Sequence, residues 1–354
     1  MPRFARLGAA EVRDVRPGLQ RMKLSDGSEA YALTDFCGPV AVGDELLVNT
    51  SAIDLGLGTG GAHVVHTNLS APYQGAGGVG RVMKARYLAE QLPVDAYEEA
   101  APEGAATGEA ASDEAAALEL PSLAGTRVVL CVLHSHALAL AATVCDATAS
   151  APGYVMTDGG ALPFVLSDLA ATCLERGVIA AAVSAGQAFG APIEAVTVAS
   201  GVAALAQRQI ERVVVAPGPG HLGTASPLGF SALDLAGHAA VLDRLGAATA
   251  LAVRASSADE RERHRGVSHH TRTVAALSPQ RTVVPVPVGA PSTPDDAGWI
   301  TSLGERAVWS EPVAVDDALA RMDLQVTSMG RPLAGDQQAC IWLGAAAAWL
   351  AETS

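Results

Sequence analysis

The chain has 354 residues, 49% of them hydrophobic, and a formal net charge of −14. This length allows two domains with a sizeable core, and the acidic balance argues against a general nucleic-acid-binding protein, which needs basic surface. No uncharged apolar run approaches the ~20 residues of a membrane span, and the N-terminus has no apolar signal region. We therefore expect a cytoplasmic protein with neither nucleic acid nor a membrane as its partner. The five cysteines lack CxxC spacing, which indicates reduced core thiols.

Residues 1–92 predict a small, mainly-β domain of barrel-like type. Residues 19–33 form two alternating runs around an Asp-Gly pair, which is a strong hairpin signal. The glycine-rich segment 55–69 has two interpretations. It is either a loop that brings backbone amides against a ligand or a bulged turn, and in both cases a strand with His63 and His66 follows.

Residues 93–124 predict an acidic linker rich in alanine and glycine. From Asp95 to Glu119 the chain carries eight acidic residues and no basic one. Such a segment cannot bury enough apolar surface to fold, so we expect disorder there. Because the linker accounts for most of the net charge, the acidity of the whole chain says little about its ligand.

Residues 125–354 predict an α/β domain. Short apolar runs typical of buried parallel strands alternate with helical patterns, which implies right-handed βαβ units in a doubly wound, Rossmann-like parallel sheet. A run at 282–288 contains two prolines and therefore belongs on an edge. The other predicted strands are 127–133, 154–157, 179–183, 212–216 and 248–253.

The C-terminal segment 339–352 predicts an alanine-rich helix that carries Trp342 and Trp349. Its small residues allow close helix packing. We expect that packing inside the domain, and a homodimer interface is the alternative.

In a parallel sheet, ligands bind beyond the carboxyl ends of the strands, where the loops collect. The segment 254–273 stands out among these loops, because it holds five arginines, three histidines and three acidic residues. Guanidinium groups pair with carboxylate or phosphate, and histidine transfers protons near neutral pH, so we expect an anionic small molecule as the partner. The alternative is a solvated loop whose acidic residues pair with its arginines.

The loops together give a predicted site. Its proposed catalytic residues are His134, Asp158 and His264. An aspartate before two glycines, as at Asp158, is also common in turns that bind no ligand. The glycine-rich 216–230 loop lacks the lysine and the residue order of a nucleotide-binding P-loop motif. Since adjacent histidines point apart on a helix, at most one of His269 and His270 should face the ligand. The proposed ligand-binding residues are Gly159, Gly160, Ser184, Gly186, Gln187, Glu194, Gly218, Gly220, Gly223, Thr224, Arg254, Arg263, Arg265, Ser268 and His269.

A divalent transition metal is an alternative cofactor. His134 and His136 are two residues apart, so on a strand they would face the same side and could both bind a metal or contact an anion. Asp158, His221 and His264 extend this set, since imidazole and carboxylate suit zinc, manganese or iron. No HExxH or CxxC motif supports the metal. In the metal-free alternative, arginines bind the anion and one histidine acts as general acid or base.

Several loop sequences resemble one family. The segments are VMTDGGALP (155–163), SAGQAFGAPIEAV (184–196), GPGHLGTASPLGFSALD (218–234) and RHRGVSHHT (263–271). They are similar to a bacterial family, found in actinobacteria and firmicutes, that is known as domain-of-unknown-function family 3866. The resemblance covers nearly the whole chain and implies this two-part design without implying an activity.

The sequence therefore predicts an enzyme of small-molecule metabolism with an anionic substrate, which is phosphorylated in one version of the hypothesis. One alternative is a metal-dependent hydrolase or lyase that uses the histidines. The other is a non-catalytic sensor whose β domain passes a binding event to a partner. No motif selects the reaction class.

Overall fold

The computed structural model describes residues 1–58, 60–71, 80–99, 120–289 and 293–352. The chain forms two compact units, Met1–Pro93 and Val94–Ser354. Among the described residues, no helix is both long enough and apolar enough to cross a membrane.

The first unit is built around a closed five-stranded barrel. The strands follow the order β1-β2-β3-β5-β4 around it, and all neighbouring pairs are antiparallel except β3 and β5. The predicted barrel-like β domain is therefore confirmed. Its elements are β1 (Phe4–Arg16), β2 (Leu19–Leu24), β3 (Glu29–Leu33), α1 (Thr34–Cys37), β4 (Glu45–Asn49), α2 (Ser51–Asp54), β5 (His63–Asn68), β6 (Val82–Lys84) and β7 (Leu92–Val94).

The β2–β3 hairpin shows how local sequence sets this barrel. Gly27 takes a positive φ of 87°, and the Asp26 carboxylate accepts a hydrogen bond from the Ser28 amide at 2.9 Å. Leu24 and Ala30 point inward from the two strands into the barrel core. The hairpin predicted at 19–33 is thus present, with its turn at the Asp-Gly pair.

The second unit contains the parallel sheet and its helices. The sheet strands and the helices between them are β8 (Arg127–Cys131), α3 (His134–Thr148), β9 (Gly153–Thr157), α4 (Asp168–Glu175), β10 (Ala181–Ser184), β11 (Ile193–Glu194), α5 (Val198–Ala206), β12 (Arg212–Pro217), α6 (Leu235–Arg244) and β13 (Ala248–Ala252). The remaining elements are β14 (Ala255–Ser256), β15 (Gly266–Val267), α7 (His269–Leu277), β16 (Val284–Pro287), α8 (Pro294–Leu303), β17 (Ala307–Ser310), α9 (Val315–Arg321), β18 (Thr327–Ser328), β19 (Arg331–Pro332) and α10 (Gln337–Ala351).

The main sheet has six parallel strands in the order β11-β10-β9-β12-β8-β13. All five uninterrupted apolar runs became strands of this sheet, which confirms the prediction of a parallel α/β fold. The strand order does not confirm the Rossmann-like part. Numbered by appearance the strands run 4-3-2-5-1-6, whereas the dinucleotide-binding order is 3-2-1-4-5-6.

Apolar cores cover both faces of this sheet. Alternate residues of β8 point in opposite directions, so that Val129 belongs to one core and Val128 to the other. Helices α3, α4 and α10 cover the first face, and helices α5, α6 and α7 cover the second. Burial on both faces explains why these strands are continuous apolar runs.

The proline-containing run lies outside the main sheet. Strand β16 pairs in parallel with β17 and meets the sheet through a single bridge between Val283 and Ala250 of β13. Helix α10 has ten of its fifteen residues buried, including Trp342 and Trp349, and packs against α3. The helix therefore packs into the core of this unit, and a homodimer stays a prediction.

The predicted linker 93–124 is structured at both of its ends. Val94 and Ala96 are buried before it, and Leu123 is buried after it. Glu98 accepts hydrogen bonds from the Val196 amide, at 2.8 Å, and from a serine hydroxyl of α5. The ends of the segment are therefore anchored by buried residues, whereas residues 100–119 lie outside the described residues and the linker stays a prediction.

Candidate functional site

The positively charged segment leaves the sheet at the carboxyl end of β13 and folds back on itself. Strands β14 and β15 pair antiparallel, with Ala255 opposite Val267. The Arg254 amide donates to Thr271 Oγ1 at 3.0 Å, and the Arg254 carbonyl accepts from the Ser268 amide at 2.9 Å. This hairpin holds the start of helix α7 beside the Arg254 backbone.

One buried carboxylate organises the arginines of this segment. Asp259 accepts hydrogen bonds from Arg261 at 3.0 and 2.9 Å and from Arg254 at 3.3 Å, and Arg331 Nη2 lies 3.7 Å from it. Burial alone would raise the pKa of Asp259, yet the Arg261 hydrogen bonds and the Arg254 charge bring that pKa far below its usual range. Burial, followed by the Arg261 charge, lowers the pKa of Arg254 to about 10. One negative charge therefore faces three guanidinium groups.

The other acidic residues of the segment do not balance its arginines. Glu260, Glu262, Arg263 and Arg265 are all exposed, and none forms an ion pair with a described residue. The alternative of a solvated loop whose acidic residues pair with its arginines therefore describes Asp259 alone.

Three histidines of the segment come together. One ring nitrogen from each of His264, His269 and His270 lies within 4.8 Å of the others. His264 belongs to a 3₁₀ turn, whereas His269 and His270 belong to helix α7. The ring of His270 also stacks on Phe230, with 4.0 Å between ring centroids. The rings of His269 and His270 do not point apart, since their centroids are 4.3 Å from each other, and His264 folds back against both. That at most one of the two faces the ligand stays a prediction.

The surroundings keep these imidazoles neutral. Burial, then the charges of Arg254 and Arg261, lowers the pKa of His264 to about 3. Burial and the neighbouring His269 ring lower the pKa of His270 to about 2. The pKa of His269 is lowered in the same direction, again chiefly by burial. At neutral pH the cluster therefore offers uncharged rings.

His264 and His270 border a cavity of about 530 Å³ at the carboxyl ends of β8, β12 and β13. The starts of α3 and α4 form part of its wall, and Asp168 is its one lining carboxylate among the described residues. The predicted site residues that line it are His134, Gly218, Gly220, Gly223, Thr224, Arg254, Arg263 and His264. The lining residues that were not predicted include Ser167, Arg261, His270 and Ser328, and His221, which was a candidate only for the alternative metal site, also lines the cavity.

Comparison with known proteins bears on this site. Residues 29–348 match the family described as "Protein of unknown function (DUF3866)", which is far more than half of the chain. The chain belongs to the DUF3866 family. The predicted resemblance is confirmed, and every residue that lines the cavity lies within the matched span. No curated protein and no solved structure matches the chain.

Two predicted glycines of this DUF3866 protein have a packing role. A Cβ on Gly160 would lie 2.2 Å from the Gly218 carbonyl oxygen, and a Cβ on Gly218 would lie 2.2 Å from the Ala161 carbonyl oxygen. The Ala161 amide donates to the Pro219 carbonyl at 2.8 Å. The loops after β9 and β12 thus touch backbone to backbone, and this contact requires glycine.

A second group of predicted residues lies away from the cavity. The Asp158 carboxylate accepts a hydrogen bond from the Gln187 amide at 2.9 Å, and the Ser184 hydroxyl accepts one from the Ala191 amide at 2.9 Å. These contacts support the turns after β9 and β10. The predicted residues that do not line the cavity are His136, Asp158, Gly159, Gly160, Ser184, Gly186, Gln187, Glu194, Arg265, Ser268 and His269.

The predicted pair His134 and His136 lies on a helix, so the expectation that both face one side of a strand was wrong. His134 Nδ1 is 2.7 Å from the Tyr154 hydroxyl, and His134 Nε2 is 2.6 Å from the Ser167 hydroxyl. His136 Nε2 is 3.1 Å from the Ser328 hydroxyl and borders a different cavity, of about 260 Å³. The apolar run of β8 hid the boundary, because the helix begins directly after Leu133.

Two of the missed residues had a signal in the sequence. Arg261 precedes Arg263 by two positions in the same basic segment, and His270 is adjacent to the predicted His269. Ser167 and Ser328 had no such signal. They reach the cavity through the start of α4 and through β18, which lie far from the basic segment in sequence.

Proposed function

We propose that this DUF3866 protein is a cytoplasmic enzyme of small-molecule metabolism that binds an anionic substrate in the 530 Å³ cavity, with phosphorylated compounds as the first class to test. Cavities of this size suit small molecules, and the carboxyl ends of parallel strands are where such folds bind them. The observation that carries the proposal is the excess of guanidinium groups at the cavity wall.

The charge balance favours an anion. Arg254, Arg261 and Arg263 line the cavity, whereas Asp168 is the lining carboxylate. Asp259 offsets part of this charge from behind the wall, but it is shared between three guanidinium groups. Like charges held close together in a partly desolvated space repel one another, and an entering anion removes that repulsion.

Backbone amides add to this preference. Helix α3 begins at the cavity, and its cap residue Leu133 has no side-chain acceptor for the first amides of the helix. The start of a helix carries a partial positive charge and free N–H groups, which together suit an oxyanion. Gly218, Gly220 and Gly223 bring further backbone to the same wall.

In the metal-free form of the site, His264 is the favoured proton acceptor. Its Nδ1 lies 2.8 Å from the Ser268 hydroxyl, and its other ring nitrogen has no hydrogen bond to a described residue. Both nitrogens of His134, in contrast, are already bonded. Burial and then the arginine charges lower the pKa of His264, so an anion that offsets those charges raises this pKa towards the value of a useful general base.

Two arginines of the same segment provide the test. Inorganic phosphate and a panel of phosphorylated metabolites are titrated into the full chain by calorimetry and thermal shift. For a compound that binds, we expect Arg263→Ala to weaken affinity by about 10- to 100-fold, because a charge-assisted hydrogen bond is lost. Arg265→Ala is the matched control, since Arg265 is exposed and does not line the cavity. Equal effects of the two variants, or no binding of any anion, overturn the proposal.

A third variant separates an enzyme from a sensor. In an enzyme, His264→Gln abolishes turnover of the identified ligand while its affinity changes little. In a sensor, the ligand is not converted by the unmodified chain, and the substitution changes binding alone.

A further inference from the structure

The histidine cluster leaves two buried nitrogens without a partner. His269 Nε2 and His270 Nε2 are shielded from solvent, and neither has a hydrogen-bond partner among the described residues. Buried polar atoms without a partner are rare in native proteins, because each loses its hydration without compensation. Two such atoms in one cluster of three imidazoles call for a ligand.

The opposite nitrogens of the rings are already engaged. His269 Nδ1 lies 3.2 Å from the Arg263 carbonyl oxygen, so it must donate its proton there, and this leaves the lone pair on Nε2. His264 Nδ1 lies 2.8 Å from the Ser268 hydroxyl. Metal-binding histidines are held in this way, with one nitrogen bonded to a carbonyl or hydroxyl and the other directed at the metal.

The contact of His270 differs from the other two. Its Nδ1 lies 3.5 Å from Arg254 Nη1, and a guanidinium can only donate, so this nitrogen accepts. This long contact has to open, and the ring has to take its proton on Nδ1, before Nε2 can bind a metal. Arg254 pairs with Asp259 through its other terminal nitrogen, Nη2, so that ion pair does not depend on the contact with His270.

We propose that His264, His269 and His270 bind one divalent transition metal of the zinc class, and that an oxygen of the anionic ligand takes the fourth position. The second part rests on the proposed function. His264 and His270 line the cavity, so a metal held by these rings faces the space assigned to the anion. Imidazole donors suit zinc, copper, nickel and iron, and three histidines with an open fourth position form a catalytic type of site.

The three imidazole rings have to move closer together to bind one metal ion. In a tetrahedral site with metal–nitrogen distances of about 2.0 Å, the nitrogens lie roughly 3.3 Å apart. The three rings have donor atoms within 4.8 Å of one another, so side-chain rotation of each ring has to bring them together. His269 is the least buried of the three and has the most freedom to rotate.

The arginines couple the metal to the anion. A bare cation beside Arg254, Arg261 and Arg263 is repelled, whereas a metal that carries an anionic ligand is not. We therefore expect inorganic phosphate to tighten metal binding. The metal in turn would polarise the bound oxyanion, which is the chemistry of metal-assisted hydrolysis.

Cobalt is a suitable probe, because its visible absorption reports four-coordinate binding. The full chain is freed of metal with a chelator, and Co²⁺ is titrated alone and then with inorganic phosphate. We expect one Co²⁺ per chain, with tighter binding when phosphate is present. His269→Gln should weaken Co²⁺ binding by more than about 100-fold, a larger loss than changes beyond the direct ligands cause. His66→Gln, which changes an exposed histidine of the barrel unit, is the control and should have no effect.

The possible results separate the two proposals. No Co²⁺ binding, or equal binding by the unmodified chain and His269→Gln, overturns the metal site while phosphate binding can still support the proposed function. Co²⁺ binding that requires His269 but is unaffected by phosphate supports the three-histidine site and overturns the anionic fourth ligand. Arg263→Ala should retain Co²⁺ binding and lose the phosphate effect. Tryptophan fluorescence confirms that the α/β unit of each variant is folded.

Discussion

Asp259 gives the strongest stability prediction. We consider Asp259→Asn, which keeps the shape of the side chain and removes its charge. Both partners of the central ion pair are buried, with the Asp259 side chain 3% exposed and the Arg254 side chain 4% exposed. Arg261 and Arg331, at 38% and 39% exposed, can turn towards water when the carboxylate is lost. The cost therefore arises mainly from one buried guanidinium without a counter-ion, and we expect a loss of about 3 kcal/mol in the free energy of unfolding.

The four tryptophans of the chain allow the free energy of unfolding to be measured for the α/β unit. They lie in the α/β unit, so denaturant unfolding followed by tryptophan fluorescence reports that unit rather than the barrel. Asp295→Asn is the control, because Asp295 pairs with Arg272 at 2.7 Å but is 82% exposed, and we expect less than about 1 kcal/mol there. A loss in Asp259→Asn no larger than the control would refute the buried-charge argument. The tryptophans are Trp299, Trp309, Trp342 and Trp349.

The pH dependence of the same interaction has a defined sign. The folded pKa of Asp259 lies below its unfolded value, so the stability that it contributes is fully present above the unfolded pKa of about 4. That contribution is lost as the pH falls through the folded pKa. Asp259→Asn should therefore differ most from the unmodified chain at neutral pH and least in strong acid.

Two further predictions concern the loops and the histidines. Gly160→Ala should strongly destabilise the α/β unit, because its Cβ meets the Gly218 carbonyl oxygen, whereas Gly237→Ala, at an exposed position in the first turn of α6 with nothing within 4 Å, should stabilise it by about 0.5–1 kcal/mol. Equal fluorescence-detected midpoints of the two variants would contradict the loop contact. Burial lowers the pKa of His134 to about 4 and that of His264 to about 3, so the unfolded chain takes up protons first as the pH falls below about 6.5. Stability should be full above that pH and should fall below it, by up to about 1.4 kcal/mol per pH unit for each histidine, and a flat urea midpoint between about pH 7 and pH 5 would count against neutral buried rings.

The parallel sheet could be predicted because its strands are buried on both faces. Runs such as 127–133 and 212–216 are apolar after their first residue, and no amphipathic helix has that pattern. The same property concealed the end of β8, since Val132 and Leu133 continue the apolar run up to the first residue of α3. The strand order could not be predicted, because it depends on which strands meet across long stretches of chain.

The basic segment was recognised by composition, but its arrangement depends on tertiary contacts. The pairing of β14 with β15 decides that His264 lies against His269 and His270. Short strands of two residues carry no periodic signal. The partners of Asp259 could not all be predicted either, since one of the three, Arg331, belongs to a separate strand pair near the C-terminus.

The strand order also has a consequence during protein synthesis. Strand β8 is the first strand of the sheet to leave the ribosome, yet its two neighbours are β12 and β13, the last two. Until residue 217 has been made, the apolar β8 has neither of its hydrogen-bonded partners, and pairing between distant segments is slow. Nascent chains that stop before that residue should therefore aggregate or occupy chaperones, even though the barrel at their N-terminus is already complete.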